Sequence, residues 1–293
     1  CIDFGAIGAS VPIKSSMHTA KVRWLRLAKG SERIEGYPII YAIQDTTDLD
    51  YTAHPATEGI GKLTGKTRGL KLHSVLCVDY SGIPVGVIHQ QVWGRAIARS
   101  ENKRRQIEEK ESYRWIESLR LTEQTVPETA RVITIADREA DIYELFALPR
   151  RWNSELLIRV FHDRQVQPAG NEAIEPLMTV LQRMEIAGDV DLELQRTPRR
   201  TARRARVSVR WAQVNLQPPL AHPTRNDLPS VPVSVVWADE ETPPTEKERV
   251  SWILVTTLPI WNFEQACNVL KSYSLRWLIE RYHFCLKGAC RVE

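Results

Sequence analysis

Two segments constrain the fold of this chain more than any others: Tyr37 to Asp45 (YPIIYAIQD) and Arg131 to Asp137 (RVITIAD). In the first, Ile39, Tyr41 and Ile43 fall on one face of an extended chain, with Ile40 and Ala42 on the other. A strand that is apolar on both faces belongs in the middle of a sheet covered on both sides. The second segment is a further short apolar strand, and each ends in an aspartate. A carboxylate at the edge of an apolar core is costly to desolvate. Asp45 and Asp137 therefore need a cation, a hydrogen-bond donor or a metal as partner.

Other elements follow from periodicity and punctuation. Ser15 to Lys29 opens with helix-start residues and reads as a helix. Leu72 to Val78 and Val85 to Val92 read as strands joined by a Ser81-Gly82 turn, hence a hairpin. Helices are expected over about Glu109 to Leu121 and over Arg138 to Leu148, with a fifth strand at Leu156 to Val160. Strands alternating with helices after a hairpin give an α/β layered core. Between 163 and 250 the apolar residues alternate (Val190/Leu192/Leu194, Val207/Val209/Trp211, Val231/Val233/Val235), the period of one-sided antiparallel strands. Pro218, Pro219, Pro223, Pro229 and Pro232 and an acidic stretch from Asp239 to Glu248 separate them. Ser251 to Thr257 returns to a buried strand, and Phe263 to Lys287 reads as one long helix. The expected organisation is an N-terminal helical remnant or linker over 1–36 and a catalytic core from 37–162 with 250–293. A β-rich antiparallel insertion occupies 163–249.

Composition excludes several classes. With 293 residues, 43% apolar and 26% charged, the chain is neither disordered nor collagen-like nor a coiled coil. No apolar run approaches the roughly 18 residues of a membrane-spanning helix, so no membrane partner is expected. Nor do the first residues have the pattern of a signal peptide. Five cysteines without a C-x-x-C pair indicate free thiols in a reducing compartment. His283, Cys285 and Cys290 do not make a zinc site, because residues 283 and 285 of a helix point about 200° apart.

The net charge is +4, yet seven arginines (Arg196, Arg199, Arg200, Arg203, Arg204, Arg206, Arg210) lie within 196–211 without an acid, and the remainder of the chain carries −3. Such a block fits a polyanionic partner, nucleic acid first, or else a solvated charged loop. Gly59 to Thr67 (GIGKLTGKT) superficially resembles a phosphate-binding P-loop. That motif requires Gly at position 60, where this chain has Ile. The segment therefore reads as a glycine-rich surface loop carrying Lys62, Lys66 and Arg68.

On the expected long helix, Tyr273, Arg276, Glu280 and Lys287 share a stripe about 60° wide. Leu275, Leu278, Ile279, Tyr282, Cys285 and Leu286 face the other way. The polar stripe is either a solvated face with helix-stabilising ion pairs or a functional surface. Two acids at strand ends facing a third on a helix make an oxygen cage for Mg²⁺, which takes a few carboxylates and keeps water and phosphate oxygens as its other ligands. Two such ions about 3.5–4 Å apart can activate the attacking oxygen and stabilise the leaving one in an in-line phosphoryl transfer. Asp48 and Asp50 are expected beyond the first strand, and Glu139 and Asp141 as first-turn helix acids. His73 and His89 read as strand residues, and Arg104 and Arg105 as DNA-contacting or exposed.

Three segments, QDTTDLDY (Gln44 to Tyr51), ADREADIY (Ala136 to Tyr143) and YSLRWLIERYHFCLK (Tyr273 to Lys287), resemble DDE transposases of the "insertion sequence four" family, the transposon-five type. The Tyr, Arg, Glu, Lys spacing of 3, 4 and 7 matches that family's signature, and the likeness runs from about Tyr37 to Lys287. The resemblance implies a ribonuclease-H-like mixed sheet flanked by helices, with Asp45, Asp137 and Glu280 as catalytic metal ligands. It implies Mg²⁺, replaceable by Mn²⁺, with two ions when DNA is bound. Tyr273, Arg276 and Lys287 would grip phosphates, since Arg can fork onto a phosphate and Lys supplies a point charge. Trp252 stands where family members carry a Trp that accepts a flipped base, or is a core aromatic. Arg199, Arg200, Arg203 and Arg204 would add DNA contacts.

The partners implied are double-stranded DNA, as transposon ends and target, and a second copy, since the full-length family acts as a homodimer. The location implied is the bacterial cytoplasm, at the nucleoid. In the family's reaction a strand is cut at the transposon end, and the new 3′-hydroxyl forms a hairpin that is reopened and joined to target. About 36 residues precede the first strand and six follow Lys287, where the family has end-recognition and dimerisation regions, so efficient end-specific transposition by this chain alone is not expected. Two alternatives remain open: a catalytically silent DNA-binding remnant, and a ribonuclease-H-fold nuclease without joining activity.

Overall fold

The computed structural model describes residues 23–26, 33–54, 56–95, 107–196, 201–222, 224–290 and 292. In chain order the elements are β1 (Arg23–Arg26), β2 (Ile39–Asp50), β3 (Gly61–Lys62), β4 (Arg68–Val78), β5 (Pro84–Trp93), α1 (Tyr113–Thr125), β6 (Arg131–Ala136), α2 (Tyr143–Ala147) and β7 (Ser154–Arg159). There follow β8 (Gln165–Pro168), β9 (Glu175–Pro176), α3 (Leu177–Arg183), β10 (Gly188–Leu194), β11 (Arg203–Leu216), β12 (Val231–Asp239), β13 (Ser251–Thr256), α4 (Phe263–Ser274) and α5 (Trp277–Gly288). The fold is α/β, with sheet flanked by helices. The chain divides into two compact units, Cys1–Val132 with Leu278–Glu293, and Ile133–Trp277.

Unit 1 is built on an antiparallel arrangement in the order β1-β5-β4-β2. The expected hairpin is β4 and β5. Its tip is closed by Asp79, whose carboxylate accepts the Ser81 and Ile83 amides at 2.9 Å, while Gly82 takes φ +82°. On one side of the sheet Ile40, Ala42, Val75, Cys77 and Ile88 pack with Val126, Ala130 and Val132. Each fully buried aliphatic side chain contributes about 1.5–3 kcal/mol. Trp115, Ile116, Leu119 and Thr122 are buried on α1 at the spacing of one helical face. Pro127 follows its extended C-cap Val126, which stops the helix.

The P-loop look-alike has a packing explanation. A Cβ on Gly61 would stand 2.1 Å from the Arg95 carbonyl oxygen, and one on Gly94 would stand 2.2 Å from that of Gly59. Two strands of loop backbone touch there, and only glycine permits it.

Unit 2 orders its strands β6-β7-β13-β12-β11-β8-β9, with β10 added to β11. The alternating segments of 163–249 are antiparallel as expected: β10 with β11, and β11 with β12. They do not form a sheet of their own. β12 pairs with β13 from Ser234↔Thr256 to Asp239↔Ser251, and β13 pairs in turn with β7.

Several expectations fail for identifiable reasons. Arg23–Arg26, inside the expected helix at 15–29, is strand, paired antiparallel with β5 from Arg23↔Val92 to Arg26↔His89. Backbone pairing with an open sheet edge outweighs a weak local helix preference; residues 15–22 and 27–29 lie outside the described residues. The long helix of 263–287 is two helices, α4 and α5, separated at Leu275 and Arg276. Ser272 and Ser274 bond their hydroxyls back to the Asn268 and Lys271 carbonyls. The Leu275 and Arg276 amides then reach only three residues back, to Ser272 and Tyr273, a tightened turn that ends α4.

The expected helix at 138–148 is a 3₁₀ turn over Arg138–Ala140 and the short α2, because Ile142 is extended. The expected helix near Glu109 starts instead at Tyr113. Asp48 and Asp50 lie inside β2 rather than beyond it. Cys77, Cys267, Cys285 and Cys290 are free thiols. Among the described residues, no helix is long and apolar enough to cross a membrane.

Candidate functional site

The residues singled out by sequence divide between the units. Asp45, Glu280 and Lys287 belong to unit 1, whereas Asp137, Trp252, Tyr273 and Arg276 belong to unit 2. Arg199 and Arg200, like Arg104 and Arg105, lie outside the described residues.

In unit 1, Asp45 stands in a polar row across the sheet, in register with Ser74 on β4, which is itself opposite Gln90 on β5. Its side chain is 18% exposed. One oxygen, Oδ1, accepts the Thr46 amide at 2.8 Å, and Oδ2 lies 3.9 Å from Nδ1 of His283. Helix α5 lies over this row. His283 Nε2 is 3.3 Å from Ser74 Oγ, and Gln90 donates to Ser74 Oγ at 3.1 Å and to the Tyr282 hydroxyl at 2.9 Å. Burial, aided by Lys287, pushes His283 down to about 4. At neutral pH its contact with Asp45 is therefore that of an uncharged ring and not an ion pair.

Ile279 and His283 are the buried residues of α5, while Glu280 is exposed, one turn before His283. Lys287 Nζ donates to the Asp48 carbonyl, and the Asp48 carboxylate accepts from Lys71 at 2.5 Å. Cys285, assigned by sequence to the apolar face, is exposed, because α5 turns His283 inward instead.

In unit 2, Asp137 follows β6 and caps the 3₁₀ turn, its Oδ1 accepting the Glu139 amide at 2.9 Å. Around it gather Tyr273, Arg276 and a residue that sequence reading missed, Arg159 at the end of β7. The Tyr273 hydroxyl interacts electrostatically with both guanidinium groups. Burial raises the Tyr273 phenol above its usual range, the two arginines pull it back, and Asp137 raises it further. Burial lowers Arg159, and the like charges of Arg138 and Arg276 lower it further. Arg159 also donates to the Ser251 carbonyl at 3.0 Å. Trp252 on β13 is half-buried, with its ring edge-on to Tyr273 at a centroid separation of 5.2 Å. The only advance signal for Arg159 is a charge at the end of an apolar strand (SELLIR).

Of the arginine block, Arg203, Arg204, Arg206 and Arg210 each make contacts within unit 2. Arg203 is largely buried and forks onto Glu240, with one bond of 2.8 Å and another to the Glu248 carbonyl at 2.7 Å. Arg204 and Arg206 pair across the hairpin with Glu193 at 2.9 Å and Asp189 at 3.1 Å. Arg210 lies 4.9 Å over the Trp237 ring. Asp141, expected as a first-turn helix acid, is buried. It accepts the Phe161 and His162 amides at 2.8 and 2.9 Å and pairs with Arg164 at 2.7 Å.

The donor chemistry of the three acids suits a hard, oxygen-seeking ion such as Mg²⁺. Such an ion needs one or two carboxylates and completes its shell with water and phosphate oxygens rather than a closed protein cage. Among the described residues, no group of three or more His, Cys, Asp or Glu side chains is arranged to hold a metal ion. No protein-family model matches the chain.

Proposed function

We propose that this chain is the catalytic region of a DDE transposase with a ribonuclease-H-like core, cutting and joining double-stranded DNA by metal-dependent phosphoryl transfer. The observation that carries the reading is the gathering of Tyr273, Arg276 and Arg159 beside Asp137. Half-buried arginines of like charge repel one another, and a phosphate that enters between them turns that repulsion into attraction. The fold part of the reading is supported by the meander of β2, β4 and β5, followed along the chain by strands alternating with helices.

In this proposal Arg276 and Arg159 fork onto the non-bridging oxygens of a phosphate near the cut. Tyr273, kept protonated by its burial, donates its hydroxyl to the same group. Lys287 exchanges the Asp48 carbonyl for a neighbouring phosphate. Trp252 offers its ring to an unstacked base, an interaction worth about 1–3 kcal/mol. Asp45, Asp137 and Glu280 would hold Mg²⁺, or Mn²⁺ in its place. When bound, the metal makes an attacking oxygen nucleophilic at neutral pH and neutralises charge on the leaving one. Cleavage of one strand frees a 3′-hydroxyl that attacks the other, giving a hairpin to be reopened and joined to target.

The test is incubation of the chain with an end-bearing or hairpin duplex, with and without Mn²⁺, scored for new 3′ ends and joined products. Cleavage is expected only with metal, and is expected to disappear in Asp45→Ala, Asp137→Ala and Glu280→Ala while DNA binding is retained. Cutting that persists in EDTA removes the metal chemistry. Binding without cutting leaves the silent DNA-binding remnant as the better description.

A further inference from the structure

At one end of the unit 1 sheet, the layer under α1 turns from apolar to polar. On the sheet face opposite Asp45, Thr46 on β2, His73 on β4 and Gln91 on β5 stand in one register row. Helix α1 covers them with Arg114 and Trp115. His73 is 0% exposed, Gln91 5%, Arg114 9% and Trp115 1%. Burying a guanidinium costs several kcal/mol that a methionine or leucine of similar volume would not. Filling space therefore does not account for Arg114.

Its contacts point to another role. Arg114 Nε donates to the Thr46 hydroxyl at 2.9 Å, and one terminal nitrogen donates to the Glu111 carbonyl at 2.8 Å. The guanidinium carbon is 5.1 Å from the Trp115 ring centroid and 5.8 Å from that of Trp93. Two indoles and two hydrogen bonds thus fix the fork. The Thr46 hydroxyl also shares a hydrogen bond with His73 Nδ1, 2.9 Å away. The Thr46 side chain is held from both sides, and its own amide donates to Asp45 Oδ1 at 2.8 Å. Consecutive strand residues point to opposite faces. Anchoring Thr46 on one face therefore fixes how the Asp45 carboxylate is presented on the other.

We infer that Arg114 is a positioning residue for Asp45, acting through the Thr46 hydroxyl. The inference rests on the reading of Asp45 as a metal ligand and adds to it a support reaching from α1 through the sheet. Outer partners of metal ligands commonly change metal affinity by about 10- to 100-fold when removed.

The test is a Mn²⁺ titration of the full chain followed by electron paramagnetic resonance, with urea unfolding of each variant alongside. Thr46→Val keeps the shape and removes the hydroxyl, and is expected to weaken Mn²⁺ binding about 10- to 100-fold. Thr46→Ser, which restores the hydroxyl, is expected to bind as wild type does even where its stability is lower. Arg114→Lys keeps the charge and the stem between the indoles but not the planar fork. It is expected to weaken binding as Thr46→Val does, and it decides the matter if Thr46→Val does not fold. A purely structural role would lower the unfolding midpoints of Thr46→Val and Arg114→Lys and leave their Mn²⁺ titrations at the wild-type value. That result overturns the inference while Asp45→Ala, by losing Mn²⁺ binding, still upholds the acid as a ligand. Unchanged Mn²⁺ binding in Asp45→Ala overturns both.

Discussion

Unit 2 contains arginines in two settings, one in which each meets an acid and one in which like charges lie close together. Along β11, Arg203, Arg204 and Arg206 each meet an acid: Glu240, Glu193 and Asp189. The acids of β10 sit directly across the hairpin, with Glu193 opposite Arg204 and Asp191 opposite Arg206, so these three arginines are locally neutralised. Around Tyr273, by contrast, Arg159 has Arg138 and Arg276 as neighbours of its own sign. Density of arginine in the sequence points to the first group. The geometry favours the second, where Arg159 and Arg276 flank one phenol that also feels Asp137.

The largest effect is expected inside the neutralised group, and on stability rather than function. Glu240 is 3% exposed and accepts from both Arg203 and the Val250 amide. Arg203→Ala leaves that carboxylate buried without its cation, which should cost about 3–5 kcal/mol. Urea unfolding measures it. A loss below about 1 kcal/mol, the range of an exposed pair, would mean that Arg203 is not a structural residue, and the contrast with Arg276 would fail.

Histidine shows the alternative to pairing. Burial lowers His89 to about 4, the Ser118 carbonyl at 3.2 Å partly opposing it, and lowers His73 well below its usual range. Arginine cannot escape burial by losing its proton, but histidine can. The unfolded chain binds a proton near pH 6.5 while folded His89 does not until near pH 4, so the unfolded state carries more protons between these values. Stability contributed by the neutral ring is thus complete above about pH 6.5 and is lost as pH falls towards 4, by an amount on the order of 3 kcal/mol. His89→Gln keeps a donor for Ser118 and removes the titration. Its unfolding free energy should fall less steeply between pH 6.5 and 4 than that of wild type, and an identical slope would refute the assignment to His89.

For the convergent group the expected effect is on DNA. Arg276→Ala and Arg159→Ala should each weaken binding to an end-bearing duplex by about 1.5–3 kcal/mol, the range for hydrogen bonds to a charged group. Each should also flatten the dependence of log K on log salt by about 0.9, the slope that neutralising one phosphate supplies. Filter binding across a salt series reads both quantities. An unchanged slope in both variants would place the phosphate elsewhere.

Sequence patterning reveals what is periodic or local. The hairpin of β4 and β5 and the antiparallel strands β10 to β12 follow from alternation and from turn residues, whereas β12 is buried on both faces and β2 runs on past Asp45 to Asp50. The helix break at Leu275 is hidden because Ser272 and Ser274 are tolerated within helices and end one only where their back-bonds combine with a tightened turn. β1 is hidden because an edge strand is specified by the partner it finds. Among the candidate residues, Tyr273, Arg276, Glu280 and Lys287 stand out through a spaced signature and Asp45 and Asp137 as acids after apolar runs, whereas Arg159 and Arg114 do not stand out. Their roles arise from neighbours far away along the chain, Arg114 with Thr46 being one such pair.

The smallest effect should come from the residues that look most like a DNA grip. The side chains of Arg204 and Arg206 are 66% and 74% exposed, each across from an acid. Exposed ion pairs contribute about 0–1 kcal/mol and less in high salt. Arg204→Ala with Arg206→Ala should therefore shift unfolding by less than about 1 kcal/mol. On DNA, removing the two arginines leaves Glu193 and Asp189 behind, so any weakening mixes a missing attraction with a new repulsion. Adding Glu193→Gln and Asp189→Asn separates them. If the quadruple variant recovers the wild-type salt slope, the hairpin arginines serve their own acids. A slope still lower by about 2 would instead return the block to the DNA interface.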